Sequence, residues 1–277
     1  MTPQGGPERP AAVILAAGRS TRMRTGTNKV LLPIRGKPMI RYQLEALRAA
    51  GTAGPIVVVG YQAERVMAEL GGEAEYVVQA EPLGTGHALL QARERLLARG
   101  PGVEALVTVG DNPYLAPGIL RDLAALRRSS GAAAAIVTAV FDSPPPYGRV
   151  VRDDRGRVLR VVEEFDATPR EKLIREVHVS IYCFDAAAAL PLLDEIRNDN
   201  AKGEYYLTDI VALARADGQA CAFVDAPADE LLGINSRADL AVAEAVVQTG
   251  LRARALAGGV TLIDPASVFF SFDTRLG

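Results

Sequence analysis

Cysteine is nearly missing from this sequence: of 277 residues only Cys183 and Cys221 carry a thiol. Both sit in apolar, strand-like runs, which argues for two buried thiols rather than a bridge or a cysteine metal site. A chain of this length buries enough surface to hold a core without such staples. A basic surplus is lacking too. Lys and Arg number 31 against 33 Asp and Glu, a formal charge of −2, so no excess advertises a nucleic-acid or anionic-membrane partner. No apolar run approaches the ~20 residues a transmembrane helix needs; Ala11–Ala17 is far too short. The opening MTPQGGPERP has neither the cationic start nor the apolar centre of a signal peptide, and residues 1–10 read as a short disordered tail. These absences predict a soluble protein of a reducing compartment, the cytoplasm. Lysine is scarce as well: Lys29, Lys37, Lys172 and Lys202 are all there are. Codon bias toward arginine explains the scarcity. A lysine that survives it supplies a compact point charge that a planar guanidinium does not.

What is present is a regular alternation. Val13–Ala17, Ile56–Gly60, Tyr76–Gln79, Ala105–Val109 and Ala133–Val140 are short, continuous apolar runs of strand type. Between them, helical signals cover Met39–Ala50, Ala63–Leu70, Thr85 to about Ala98, and Pro117–Arg128. The expectation is an α/β fold with a Rossmann-like, mixed, mostly parallel sheet covered on both faces. Ligands of such sheets bind at the carboxyl ends of the strands. That places the Gly18 loop, the segment after Gln79, and Asp111 on one rim.

From about residue 142 to 185 the pattern changes to the stiff loop SPPPYG, a hairpin of Val150-Val151 with Val158–Val162, and a strand at Val177–Phe184. This reads as a small α+β insertion able to lie over the rim. A polar loop, Asn198–Asp209, and a late strand, Cys221–Val224, complete a domain spanning 11–236. Ser236 with Asp239 forms a capping-box pattern that starts a linker helix over 237–258. Residues 259–277 are β-rich and punctuated by Asp-Pro, like one coil of a β-helix, and one coil cannot bury its own face. Val268, Phe269, Phe270 and Phe272 would then expose apolar surface.

Three segments could carry chemistry. Ala16–Lys29 (AAGRSTRMRTGTNK) directly follows the first strand; small residues let backbone N–H groups approach an anion, and Arg19, Arg22, Arg24 and Lys29 add positive charge. It is neither G-x-G-x-x-G nor a P-loop, so neither a dinucleotide fold nor a P-loop ATPase is supported. The alternative is a solvated basic loop. Gly110-Asp111 ends the fourth strand, and a carboxylate there, facing a cationic phosphate loop, suits a Mg²⁺ bridging protein and phosphate. Asp-Asn-Pro is equally a strong turn signal. In Gln79–Ala88 (QAEPLGTGHA), glycines flanking a threonine leave main-chain atoms able to read a flat base edge, with the Gln79 amide beside them; a plain strand–turn–helix link is the alternative. His87 is expected on the helix surface or packed within it, not as a base.

Taken with YGRVVRD, VVEEFDAT, REVHVSIYCFDA, NDNAKGEYYLTDIV and GINSRADLAVAE, these segments resemble the sugar-phosphate nucleotidyltransferases. The match narrows to the uridylyltransferase half of the bifunctional N-acetylglucosamine-1-phosphate uridylyltransferase/glucosamine-1-phosphate acetyltransferase family, over about residues 11–277. GVTLIDPAS is similar to the first coil of that family's left-handed β-helix. The resemblance implies an enzyme that uses Mg²⁺ to transfer UMP from UTP to N-acetylglucosamine 1-phosphate, giving UDP-N-acetylglucosamine and pyrophosphate. It implies that Ala16, Ala17 and Gly18 line the nucleotide with backbone, that Arg22 and Lys29 bind phosphate, and that Gln79, Gly84 and Thr85 contact uracil. It further implies that Asp111 and Asn235 ligate Mg²⁺ and that Gly148 and Glu163 contact the sugar. Its trimer contacts lie largely in the β-helix, so the oligomeric state stays open.

Several positions depart from the family pattern. Asn28 stands where a proline usually precedes the lysine, an exchange expected to loosen the turn that aims Lys29. Val109 and Asn112 flank Gly110-Asp111 atypically. His178-Val179-Ser180 replaces Asn-Thr-Gly at the sugar wall, so that His178 would offer one donor and one acceptor with a different reach, or point away. A different hexose 1-phosphate is therefore the first alternative substrate. A non-catalytic nucleotide-sugar-binding regulator is the alternative from another class, disfavoured because it would need neither Lys29 nor the two ligands.

Overall fold

The computed structural model of the protein describes residues 9–19, 23, 25–228, 231 and 233–276. Arg22, Arg24 and most of the 1–10 tail lie outside the described residues. The chain begins β1 (Ala11–Ala16), β2 (Pro33–Ile34), β3 (Lys37–Pro38), α1 (Met39–Ala49), β4 (Ala53–Val59), α2 (Ala63–Leu70) and β5 (Glu75–Val78). It continues with α3 (Thr85–Gln91), α4 (Arg93–Leu97), β6 (Glu104–Val109), α5 (Pro117–Ser130) and β7 (Ala134–Val140). Then follow β8 (Gly148–Arg152), β9 (Val158–Val162), β10 (Glu176–Asp185), α6 (Ala186–Asp194), α7 (Ile210–Ala216), β11 (Cys221–Asp225) and α8 (Arg237–Ala257).

Among the described residues, β11-β7-β10-β6-β1-β4-β5 form one sheet, with the β8–β9 hairpin attached to β10. β1 pairs in parallel with β4 and β6, β4 with β5, and β7 with β11. β10 alone in that row runs the other way, antiparallel to both β6 and β7. Because successive side chains of a strand face opposite sides, each strand feeds two cores. Val13, Leu15, Ile56 and Val58 pack with Leu89, Leu190 and Ile210 of the helices on one face. Ala12, Ile14, Val57 and Val59 pack with Ile40, Leu44, Val66 and Leu120 on the other. Continuous burial explains why these strands carry no polar alternation.

Val177–Phe184, grouped in the sequence reading with the middle insertion, instead belongs to the main sheet: Tyr182–Asp185 pair with Val107–Glu104. The opening of β10 passes the end of β6 and pairs Val177 and His178 with Arg149 and Gly148. The hairpin therefore stands beside the carboxyl ends of the parallel strands. The helix expected over Thr85–Ala98 is divided into α3 and α4 at Ala92. At Ser236, both halves of the expected capping box are formed with Asp239.

The tail differs from the expected β-helix coil. Its described residues hold a 3-10 turn at Pro265–Ser267 and no strand. The tail folds back on α8 instead. Gln248 donates to the Phe270 carbonyl at 2.7 Å and accepts from its N–H at 2.8 Å. Phe270 is buried by this docking, while Phe269 and Phe272 stay exposed.

Candidate active site

Two cavities adjoin at the end of β6, and the larger extends over the ends of β1 and β5. The larger, about 430 Å³, is floored by Ala16, Ala17 and Gly18, with Lys29 and Asp111 at one side and Gln79, Gly84 and Thr85 at the other. The smaller, about 180 Å³, is lined by Gly148, Glu163, His178, Ser180 and Asn235. Asp111 and Val109 belong to both. The structure thus brings together every described residue to which the resemblance assigns a contact, in two groups that meet at one carboxylate.

Lys29 sits at that junction. Its ammonium donates to Asp111 Oδ2 and, at 3.1 Å, to Asn235 Oδ1. Asn235 is delivered by the segment after β11, which docks through Ile234 N–H to the Asp111 carbonyl at 2.9 Å. Gly110 makes the close approach possible: a Cβ there would stand 2.7 Å from Val30 Cγ1. Among the described residues no group of three or more His, Cys, Asp and Glu side chains converges as a metal site. One carboxylate and one amide oxygen do converge, however, on the point where Lys29 already places a positive charge. Hard oxygen donors in that number fit Mg²⁺, which keeps several waters and takes its remaining contacts from substrate phosphates.

Asn28 does the reverse of loosening the turn before Lys29. It is fully buried. Its Nδ2 donates to the carbonyls of Tyr61 at 2.7 Å and Ala16 at 3.4 Å, and its Oδ1 caps the 3-10 turn Lys29–Leu31 through Val30 N–H. Its own N–H donates to Gln62 Oε1 at 2.8 Å, a bond no proline could make. Gln62 in turn donates to the Gly26 carbonyl at 2.6 Å. Only the departure from proline marked Asn28, and Gln62 carried no signal, because both act through contacts distant in sequence.

The other side of the larger cavity is built by docking of two chain segments. Tyr205 N–H donates to the Leu83 carbonyl at 2.7 Å, and Gly86 N–H to the Tyr205 carbonyl at 2.8 Å. Gly84 has φ +110, and a Cβ there would meet the Tyr205 backbone at 2.6 Å, so both conformation and space require glycine. Thr85 Oγ1 accepts from Leu207 N–H at 3.1 Å. This docking places Glu204 in the larger cavity and Lys202 in the smaller. Neither was singled out as a site residue, although Lys202 is one of the four lysines.

In the smaller cavity, Glu163 accepts from Thr208 Oγ1 at 3.0 Å. Burial pushes its carboxyl pKa up, partly offset by that bond and by the charge of Lys202. Lys202 itself lies over the Phe165 ring, 4.7 Å from its centroid. His178 lines the wall, but both ring nitrogens are committed to backbone: Nδ1–H to the Val137 carbonyl at 3.0 Å, and Nε2 accepting from Ser180 N–H at 3.1 Å. The expected free donor and acceptor are therefore already spent. Burial drives the imidazole pKa down to about 4, only partly opposed by the Val137 carbonyl. Ser180 occupies the bulge where β10 shifts register against β7, with φ +57, a conformation that glycine adopts more readily.

Residues 12–181 match the family model of the MobA-like NTP transferase domain. The chain is 48% identical over 268 residues to the bifunctional protein GlmU of Pelotomaculum thermopropionicum, covering 96% of this chain and 58% of that protein. It is 44% identical to the Pelobacter propionicus protein of the same name, covering 98% and 59%, and 48% identical to that of Heliobacterium modesticaldum, covering 96% and 58%. It spans less than two thirds of the length of these curated relatives. The resemblance drawn from the motifs is borne out. The chain belongs to the family of the MobA-like NTP transferase domain.

Proposed function

We propose that this chain is a Mg²⁺-dependent uridylyltransferase that transfers UMP from UTP to N-acetylglucosamine 1-phosphate. The observation that carries the reading is the meeting of two cavities at Asp111, with Lys29 bridging that carboxylate to Asn235. The likeness to proteins named GlmU supports it. UTP occupies the larger cavity, with its base at Gln79, Gly84 and Thr85 and its phosphates over the Ala16–Gly18 backbone. The sugar 1-phosphate occupies the smaller, between Gly148 and Glu163.

The acceptor phosphate has a second pKa near ~6 and is largely ionised at neutral pH, so its oxygen needs no general base to attack the α-phosphorus as pyrophosphate leaves. The obstacle is repulsion between two polyanions. Asp111 and Asn235 would hold Mg²⁺, which would supply charge neutralisation and alignment of the phosphates. Lys29, with Arg22 of the same sequence segment, stabilises charge that builds on the transferred group and the leaving pyrophosphate. Asn28 and Gln62 hold the turn that aims Lys29. Sugar hydroxyls donating to Glu163 offset the burial that otherwise disfavours its ionised form.

The test is pyrophosphate release from UTP and Mg²⁺ across N-acetylglucosamine, glucosamine, glucose and galactose 1-phosphates. The reading expects release with N-acetylglucosamine 1-phosphate to exceed the rest; silence across the panel with UTP bound contradicts it. One observation favours a second reading, another hexose 1-phosphate: the wall at His178–Ser180 offers backbone-bound nitrogens and a strained serine. Preference for glucose or galactose 1-phosphate would select it.

A further inference from the structure

Gln79 follows β5 and is buried with its amide on the larger cavity. Its Nε2 donates to the Gly84 carbonyl at 3.0 Å and lies 2.9 Å from Nδ1 of His87. A carbonyl oxygen can only accept, so the atom facing Gly84 is the amide nitrogen, and Oε1 is the polar atom left for the cavity. The same nitrogen can satisfy His87 only if Nδ1 is the ring's acceptor, with the imidazole proton on Nε2.

The other ring nitrogen faces Gln91, whose Nε2 lies 3.2 Å from it and 3.1 Å from the His87 carbonyl. A neutral imidazole cannot accept at both nitrogens. One amide must turn. Gln91 is half-buried one helical turn along α3, and it gives up only a local bond by offering Oε1 to Nε2–H. Gln79 would leave the Gly84 carbonyl bare next to the positive-φ turn that Tyr205 clamps. The conflict therefore resolves at Gln91, and the imidazole, flanked by the Tyr205 ring at 6.3 Å between centroids, holds Gln79 in one orientation.

We infer that His87 is a positioning residue that locks Gln79 with its carbonyl oxygen toward the nucleobase, so that the cavity favours a base with an imide N–H over one with a ring acceptor there. This rests on the uridylyl reading above and deepens it. Uracil donates from its N3–H to such an oxygen. Cytosine opposes it with a lone pair, and an unpaired acceptor–acceptor contact is what makes hydrogen-bonding sites discriminate. Without His87 the Gly84 carbonyl alone holds the amide, and turning it to present N–H to the base breaks one hydrogen bond instead of two.

The experiment measures kcat/KM and Kd for UTP and CTP, with Mg²⁺ and N-acetylglucosamine 1-phosphate, on the wild-type chain, His87→Ala and His87→Asn. The expected result is a UTP/CTP ratio about ten-fold lower in His87→Ala, roughly one hydrogen bond converted to affinity, with CTP unchanged or improved. His87→Asn, whose Oδ1 can replace Nδ1 as acceptor, should restore the ratio. Equal losses on both nucleotides, or a His87→Asn ratio no better than that of His87→Ala, overturns the inference as merely structural. In the wild-type chain, ¹⁵N spectroscopy of the imidazole should show the proton on Nε2; a proton on Nδ1 overturns it without any variant. A wild-type enzyme indifferent to UTP and CTP would instead sink the uridylyl reading itself.

Discussion

Along the larger cavity the floor is main chain at the ends of parallel strands, whereas the smaller is walled by side chains of an antiparallel hairpin and a bulged strand. The first is fixed by topology: β1 and β6 end side by side, and Gly110 lets the Lys29 turn close on them. The second depends on what individual residues do. Glu163 is held off its ordinary ionisation by burial, His178 spends both nitrogens on backbone, and Ser180 carries a left-handed φ. Under the proposed function, the topology of the larger cavity would make phosphate chemistry hard to alter, while acceptor choice would shift through a few side chains of the smaller.

The strongest way to break that comparison is at the shared carboxylate. Asp111→Ala should lower turnover by about 10²–10³-fold, the scale on which removal of a single stabilising group acts, with little change in melting temperature. Pyrophosphate release with Mg²⁺ checks it, and a variant keeping most of its activity defeats the assignment. Next in size is the scaffold of the larger cavity. Asn28→Ala strips partners from two carbonyls and one N–H in a buried turn and should cost about 2–3 kcal/mol in urea unfolding. A loss below about 0.5 kcal/mol would mean that the turn stands without it.

The smaller cavity should answer to pH. His178 has a folded pKa of about 4 against an ordinary 6.5, so between those values the unfolded chain binds a proton that the folded chain refuses. Its contribution is complete above pH 6.5 and is lost at up to about 1.4 kcal/mol per pH unit as pH falls toward 4. Asp209 opposes it: burial, then repulsion from Asp166 and Asp199, raises its pKa to about 6, so its contribution is lost as pH rises from about 4 to 6. His178→Asn should therefore leave a stability profile that falls with rising pH more steeply than the wild type across that window. Parallel profiles would contradict the burial argument. The smallest effect expected is from Ser180→Gly, which relieves the positive φ and should stabilise the fold by about 1 kcal/mol, read as a higher urea midpoint.

The parallel half of the sheet was legible because continuous apolar runs such as Val13–Ala17 and Ile56–Gly60 encode burial locally, and strand ends then place Gly18, Gln79 and Asp111 on one rim. The position of β10 was not, since an antiparallel strand inserted between β6 and β7 is a long-range pairing with no local mark. His178 read as a sugar contact by position, but the bulge that turns its ring onto Val137 and Ser180 belongs to the sheet's register. Asn28 looked like a weakened proline because its bonds to Tyr61 and Gln62 cross more than thirty residues. The tail is β-rich in composition, but the bonds that fix it run to Gln248 on α8, which its local sequence does not mark.

The division of labour between the cavities is tested most directly by a crossed Michaelis measurement on Gln79→Ala and Glu163→Gln with UTP and N-acetylglucosamine 1-phosphate. The account predicts that Gln79→Ala raises KM for UTP about ten-fold or more and leaves KM for the sugar phosphate nearly unchanged, with Glu163→Gln doing the opposite. Variants that raise both constants together, or that exchange these effects, would contradict the claim that two substrates meet at Asp111 from separate cavities.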